Sequence, residues 1–327
     1  MVTSDDGTTA QRGQGWPARL HVVTGKGGTG KTTVAAALAL ALAAGGHRTL
    51  LVEVEGRQGI AQLFERDPLP YEERVIATTP GGGEVRALAV DAEEALLEYL
   101  ALFYRLGAAG RALRKVGAID FATTIAPGLR DVLLTGKVKE ATTRTDDHGR
   151  RVYRAVVLDA PPTGRIGRFL NVTAEAAKLA KMGPIKTQSE GVAALLRSPM
   201  TSVHVVTLLE EMPVQESVDA VAELRGLGIP IGKLIINCAH AELLAGVRKV
   251  TQAELKRGLV AAGLPGDRAT VVGLQEQAQA YLSRQALEAQ LREELSEIGR
   301  PVAELPLLPG GVDFAGLRQL AAVLGAV

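Results

Sequence analysis

Cysteine is nearly absent. Cys238 is the single cysteine in 327 residues, so no disulfide can form within the chain. Nor can a cysteine-only zinc or iron–sulfur site be built inside one subunit, and a reducing, cytoplasmic setting fits such a chain. Charge of one sign is equally scarce: 37 Lys and Arg stand against 36 Asp and Glu, a formal net charge of +1. That balance leaves no broad basic face, and nucleic acid is not expected as a partner. No apolar run approaches the roughly 20 residues that span a bilayer, so no integral membrane segment is expected. The opening MVTSDDGTTAQRGQGWPARL also lacks the basic and apolar regions of a signal peptide. Residues 1–17 are expected to be a loose leader and 18–327 a single domain. Aromatic residues are only 3%, yet the chain is 46% hydrophobic, enough for a large core built on aliphatic side chains.

What is abundant is the β-branched run. LHVVTG (20–25), TLLVEVE (49–55), VRALAVD (85–91), RAVVLDA (154–160), SVHVVTL (202–208), KLIINCA (233–239) and VAELPLL (302–308) are apolar on both faces. Strands buried inside a mostly parallel sheet have this character. With helical stretches between them, they predict a doubly wound α/β fold. The third and fourth runs are separated by more residues than one crossover helix needs, so 92–150 together with 165–200 predicts an inserted helical subdomain. Residues 242–298 also read as helical, with a solvated charged face.

The stretch VVTGKGGTGKTTVAAA contains the motif G-x-x-x-x-G-K-[ST] at Gly25, Gly30, Lys31 and Thr32. Gly25, Gly27, Gly28, Thr29 and Gly30 let successive backbone N–H groups turn toward phosphate oxygens, with Thr33 in the same turn. Lys31 is predicted to reach the β- and γ-phosphates and the Thr32 hydroxyl to ligate Mg²⁺. The loop follows a strand and opens a helix whose Val34, Leu38 and Leu42 share one side and are expected to face the sheet.

Lys26 is a second lysine in that loop. GKGGTGKTT resembles the deviant Walker A loop K-G-G-x-G-K-[ST] of the dimeric ATPases that include the arsenite-pump and tail-anchored-protein-targeting (guided-entry) ATPases. The resemblance implies that Lys26 reaches across a dimer interface to the phosphates of the other subunit, where its charge supports the transition state. LLVEVEGRQGIAQLF resembles the first switch segment of the arsenite-pump and targeting family, and Glu55, followed by Gly56, falls where that segment carries its water-orienting aspartate. Glu53, one pleat away on the same face, is the rival carboxylate. VVLDAPPTGRIGRFL is similar to the family's second switch; Asp159 is implied as the carboxylate on Mg²⁺, with Pro162, Thr163 and Gly164 in the loop that senses the γ-phosphate. Gly164 is expected to give this loop its backbone freedom, and Arg165 stands where the family has histidine.

The resemblance extends through LLEEMPVQESVDAVAEL and KLIINCAH to ELPLLPGGVDFAGLRQLA. It implies adenine contacts from Asn237 and from Pro306, Leu307, Leu308 and Pro309, hence ATP as the nucleotide with Mg²⁺. Departures narrow the expectation. With one cysteine and no C-x-x-C, neither arsenite binding, nor a dimer-bridging zinc, nor an iron–sulfur cluster is expected, and Cys238 reads as a buried strand-end thiol. VEVEGRQGIAQLF, DFATTIAPGLRDVLLTGK and DAPPTGRI resemble an actinobacterial branch whose members pair with a paralogous ATPase subunit. A paralogous heterodimer and a homodimer are both open. Tyr99, Phe103, Tyr104 and Phe121 form either the core of the helical region or a surface for a hydrophobic protein client. The overall expectation is a slow, nucleotide-switched, Mg-ATP-dependent dimeric ATPase acting on a protein client or partner, cytoplasmic or peripheral at the membrane. The alternatives are a nucleotide-binding scaffold with little turnover and a partition-type, surface-associated ATPase; the end DFAGLRQLAAVLGAV reads as a packed helix instead of the basic amphipathic terminus that the latter needs.

Overall fold

The computed structural model describes residues 15–104, 127–171, 184–247 and 249–326. Among these, eight strands form one sheet: β1 (Leu20–Gly25), β2 (Arg48–Glu53), β3 (Arg74–Thr78), β4 (Glu84–Ala89), β5 (Ala155–Asp159), β6 (Thr201–Thr207), β7 (Ile231–Ala239) and β8 (Val302–Pro306). Their order is β3-β4-β2-β5-β1-β6-β7-β8, parallel everywhere except for β3 against β4. The chain winds from β1 to one side, returns with β5 into the gap beside β1, and then winds to the other side. This is the expected doubly wound architecture, which opens a crevice at the C-terminal strand ends.

The helices are α1 (Lys31–Ala43), α2 (Gly59–Leu63), α3 (Ala92–Tyr104), α4 (Pro127–Thr143) and α5 (Thr163–Leu170). They continue with α6 (Pro184–Leu196), α7 (Glu211–Gly226), α8 (Gln252–Ala261), α9 (Arg268–Glu297) and α10 (Phe314–Gly325). Strand alternation feeds two cores. Leu20, Val22, Leu50, Val52, Val156, Leu158, Val203 and Val205 face α3 to α7 and the end of α9. Val23, Leu51, Val157, Val206 and Ile235 face α1, α2 and α10. Covering both faces in this way is what makes a parallel sheet stable, and it explains why the strands lack a polar side.

Several expectations change in three dimensions. All seven expected strands are present with ends shifted by a residue or two, but β3 is an addition. It is an antiparallel edge strand in which only Ile76 and Ala77 are buried, so RVIAT carries no clear period. The turn after it, closed by Thr79 N–H to Gly83 O at 2.8 Å with Gly82 at φ 78°, was the available signal. Helix α1 does not bury one stripe: Val34 to Leu40 are all buried and Leu42 only half so, because α10 closes the side away from the sheet. Helix α8, by contrast, has no buried residue. Helix α10 is packed as expected, with Leu317, Leu320 and Leu324 buried. Trp16, expected within the leader, is buried instead, and its indole N–H donates to Leu324 O at 2.9 Å. Tyr99 belongs to the core, while Phe121 and the side chains of Phe103 and Tyr104 lie outside the described residues.

Trp16 also closes over two buried histidines, His21 of β1 and His204 of β6. The Lys233 amide can only donate, so His204 Nδ1 accepts from it at 3.0 Å, and His204 Nε2–H then donates to His21 Nδ1 at 3.1 Å. His21 Nε2–H completes the chain on Ala18 O at 3.0 Å. Every ring nitrogen is satisfied in the neutral state and none has room for another proton. Burial accordingly pushes His21 down to about 4 and His204 well below the usual histidine range. Unfolded, both rings titrate near 6.5, so the unfolded chain binds more protons below that pH and stability is lost as pH falls. The unfolding free energy should decrease between about pH 6.5 and pH 5 by up to about 1.4 kcal/mol per pH unit for each ring. Urea unfolding across this range checks it: the His204→Gln variant should show a shallower slope, and an equally steep one would place the acid sensitivity elsewhere.

Candidate functional site

Three parallel strands bring the site together. Register places Val23 of β1 beside Asp159 of β5 and Asp159 beside Glu53 of β2. The loop leaving β1 therefore runs over two carboxylates that end the neighbouring strands. Gly25 lies so close to β6 that a Cβ would sit 2.2 Å from Val206 O, which excludes any side chain. Gly30 has φ 83° and a would-be Cβ 2.3 Å from Asn237 Nδ2, so glycine is required there twice over. Thr29 is buried and its hydroxyl donates to Lys26 O at 2.9 Å, while Gly27 and Gly28 form the exposed rim. Gly30 is the N-cap of helix α1 and brings no side-chain cap, and Thr33 is half-buried in the first turn. The first amides of α1 have no side chain competing for them, the arrangement an anion needs. Lys31 Nζ donates to Lys26 O at 3.3 Å; burial lowers its pKa, opposed by Asp159 and Glu55.

The Thr32 hydroxyl donates to Asp159 Oδ2 at 2.7 Å. Asp159 Oδ1 and Glu53 Oε2 are both buried without a partner, whereas Glu53 Oε1 accepts from the Gly59 amide at 3.2 Å. Burial pushes the Asp159 carboxyl up to about 6, and the neighbouring Glu53 pushes the same way against the Thr32 hydrogen bond. Two orphaned carboxylate oxygens beside a threonine hydroxyl form an all-oxygen cradle, which fits a hard cation such as Mg²⁺. Among the described residues no group of three or more His, Cys, Asp or Glu is arranged to hold a metal.

The strand end falls at Glu53, so Glu55 lies in the following loop, half-buried, with Gly56 at φ 67° allowing the chain to turn. Arg165 Nη1 donates to Glu55 Oε1 at 3.2 Å and Arg57 approaches Glu55 Oε2 at 3.4 Å. The two implied switch segments are thus joined by an ion pair. In the second segment Pro162 caps α5 and Thr163 opens it. Gly164 has no left-handed φ and open space at its Cα, so this conformation does not call on the freedom expected of it. Lys26 does not project free from the rim: its Nζ is 2.7 Å from Glu216 Oε1 on α7 of the same chain. The second oxygen of Glu216 accepts from the Thr163 hydroxyl at 3.2 Å. Arg57 and Glu216 were not among the expected site residues; for Glu216 the reason is that no local motif marks a contact made from α7.

The Asn237 amide donates to Thr29 O at 2.9 Å and so buttresses the loop from β7. Cys238 is only half-buried and has φ 54°, not the ordinary strand-end thiol expected. The β7–β8 pairing sets Pro306 beside Ala239, and Leu307 N–H donates to Ala239 O at 2.9 Å, which brings Pro306–Pro309 near the same strand end. Leu308 packs on the core and Leu307 is exposed.

A family model described as anion-transporting ATPase matches residues 18–198. The chain is 52% identical to the ATPase BagA of Mycobacterium tuberculosis over 331 residues, covering 98% of this chain and 96% of that one. It is 27% identical to an arsenical pump-driving ATPase of Escherichia coli over 239 residues, 65% of this chain and 38% of the other. The matched stretch runs from β1 to the end of α6 and contains the loop, Glu53, Glu55 and Asp159.

Asn237→Ala removes the support of the Thr29 carbonyl and should weaken ATP and GTP alike, by about five- to tenfold. Titration of both nucleotides separates two roles: a loss confined to ATP would make the side chain a reader of the base and not a buttress.

Proposed function

The chain belongs to the anion-transporting ATPase family, and on that premise we propose that it hydrolyses Mg-ATP slowly and uses the nucleotide state to change how two subunits close. The observation that carries the reading is the Thr32–Asp159 hydrogen bond beside two unpartnered carboxylate oxygens. It links the phosphate loop to a cation cradle at the one place where a nucleotide's terminal phosphates would lie. Bound there by Thr32 and, through water, by Asp159, Mg²⁺ would neutralise charge on the β- and γ-phosphates. Lys31 would exchange Lys26 O for phosphate oxygens. Glu55 would hold the attacking water, its orientation fixed by Arg165 and Arg57, while Glu53 would orient water around the cation. On this reading 18–327 is one ATPase domain, the insertion of 92–150 and 165–200 carries the surface that changes, and the adenine lies between Asn237 and Pro306–Pro309.

Lys26 is held in cis by a glutamate that also binds Thr163 of the nucleotide-sensing loop. A shift of that loop on ATP binding would weaken the Glu216 contact and free Lys26 for a neighbouring nucleotide, in a homodimer or with a paralogous subunit. The single cysteine favours a hydrophobic protein over arsenite as the client. The protein would act in the cytoplasm and reach a membrane only through a partner. A second reading, nucleotide binding without turnover, is favoured by the two arginines that already occupy Glu55.

Lys31→Ala should abolish ATP hydrolysis, and Glu55→Gln should lower kcat by about 100-fold while ATP still binds. Single-turnover hydrolysis by the wild type decides between the two readings: radiolabelled ATP left uncleaved in a saturated complex would favour the scaffold. Glu53→Gln should instead raise the Mg²⁺ concentration that half-saturates turnover.

The mass in solution with and without Mg-ATP, alone and mixed with a paralogous subunit, tests the role of Lys26. A dimer should form or tighten with nucleotide, weaken in Lys26→Ala, and form more readily in Glu216→Gln. A wild type that hydrolyses ATP yet stays monomeric in every mixture would sink the dimer switch.

A further inference from the structure

Behind the ion pair that joins the switch segments lies a cavity of about 220 Å³ whose lining includes Glu55, Arg57, Arg130, Asp131, Pro161 and Arg165. Three guanidinium groups meet there from three different elements: the loop after β2, the start of α4 and the first turn of α5. The lining sets these three arginines against two acids, Glu55 and the buried Asp131. Glu55 is shared by Arg57 and Arg165, at 3.4 and 3.2 Å, and Arg130 has no ion pair among the described residues. The chamber adjoins the phosphate loop: Glu55 and Arg57 both act on the Lys31 charge, and the Thr24 hydroxyl beneath the loop donates to Pro161 O at 2.7 Å. At roughly 30 Å³ for each water, the space takes one tetrahedral oxyanion and several waters. Guanidinium forks match the oxygens of such an anion pairwise, which a lysine ammonium cannot do.

We propose that this chamber is a second oxyanion site, which holds inorganic phosphate once the bond to ADP is cut, and that Arg130 is its dedicated contact. The proposal rests on the hydrolytic reading for the origin of the phosphate, but not for the chemistry of the site. A phosphate dianion entering here competes with Glu55 for Arg57 and Arg165. It would thereby loosen the only ion pair that ties the two switch segments together among the described residues, so that departure of the product and relaxation of the switches become one event.

The test uses the full chain saturated with Mg-ADP, so that the phosphate loop is already filled, and titrates inorganic phosphate by calorimetry. One site should appear, weakened about five- to tenfold by Arg130→Ala and partly restored in Arg130→Lys; the modest size reflects the exposure of Arg130. Sulfate should compete and acetate should not. A second arm follows product: after a single turnover, a phosphate-binding fluorescent reporter and acid-quenched samples time release and cleavage separately. Arg130→Ala should leave cleavage unchanged and alter the delay before release. Phosphate binding that vanishes when ADP fills the loop, or that is indifferent to Arg130 in a variant with wild-type thermal unfolding, overturns the proposal. Arg130-dependent phosphate binding in a protein that never cleaves ATP would overturn the hydrolytic reading alone and make the phosphate of solution the ligand. Cleavage with Arg130-independent binding and release would overturn the chamber alone.

Discussion

Asp159 is the group on which the arrangement of the crevice depends. It closes a strand flanked by β1 and β2, so its carboxylate is desolvated on both sides and sits next to Glu53 in the same register. Burying two acids together costs stability unless something offsets their charge, and in the protein alone the Thr32 and Gly59 hydrogen bonds and the Lys31 charge do so only in part. The strain shows in the raised Asp159 pKa and in two carboxylate oxygens without partners. A divalent cation would relieve it. The phosphate loop is drawn to Asp159 by the Thr32 hydroxyl, and the loop is fixed in turn by Asn237 from the far side.

Around this centre each charged group proposed for chemistry is engaged within its own chain. Lys31 rests on Lys26 O, Lys26 on Glu216, and Glu55 on Arg57 and Arg165. Exposed pairs of this kind contribute little to stability and break at little cost. On the proposed reading they suit a resting state: a nucleotide would supply stronger partners for the same groups, and a rearrangement would follow from exchange of ion pairs. Glu216 touches both Lys26 and Thr163, and the Glu55–Arg165 pair joins the loop after β2 to the start of α5, so an exchange at one point would be felt at the other.

Much of this was legible in the residues. The seven buried runs, the motif from Gly25 to Thr32 and the acid ending VVLD are local patterns, and each carries its chemistry in its spacing: glycines where a backbone must turn, an acid where a strand leaves the core. The family followed from the same strings. What misled was the limit of local pattern. The alanine-rich α1 shows one apolar side in sequence although α10 covers its outer side, an edge strand with two buried residues carries too little period, and Trp16 reads as leader because its partner, Leu324 O, is at the other end of the chain.

By itself, then, the sequence determined the class of fold, the glycine-rich loop between β1 and α1 and the acids at the strand ends, because those follow from hydrophobic period and from residue chemistry within a few positions. Only the tertiary structure decided what those residues touch. That Lys26 meets Glu216, that Arg165 meets Glu55 across 110 positions, that Asn237 props the loop and that three arginines share one chamber are consequences of helices laid across strand ends. Such contacts join residues whose separation along the chain bears no relation to their distance in space, and no periodicity records them.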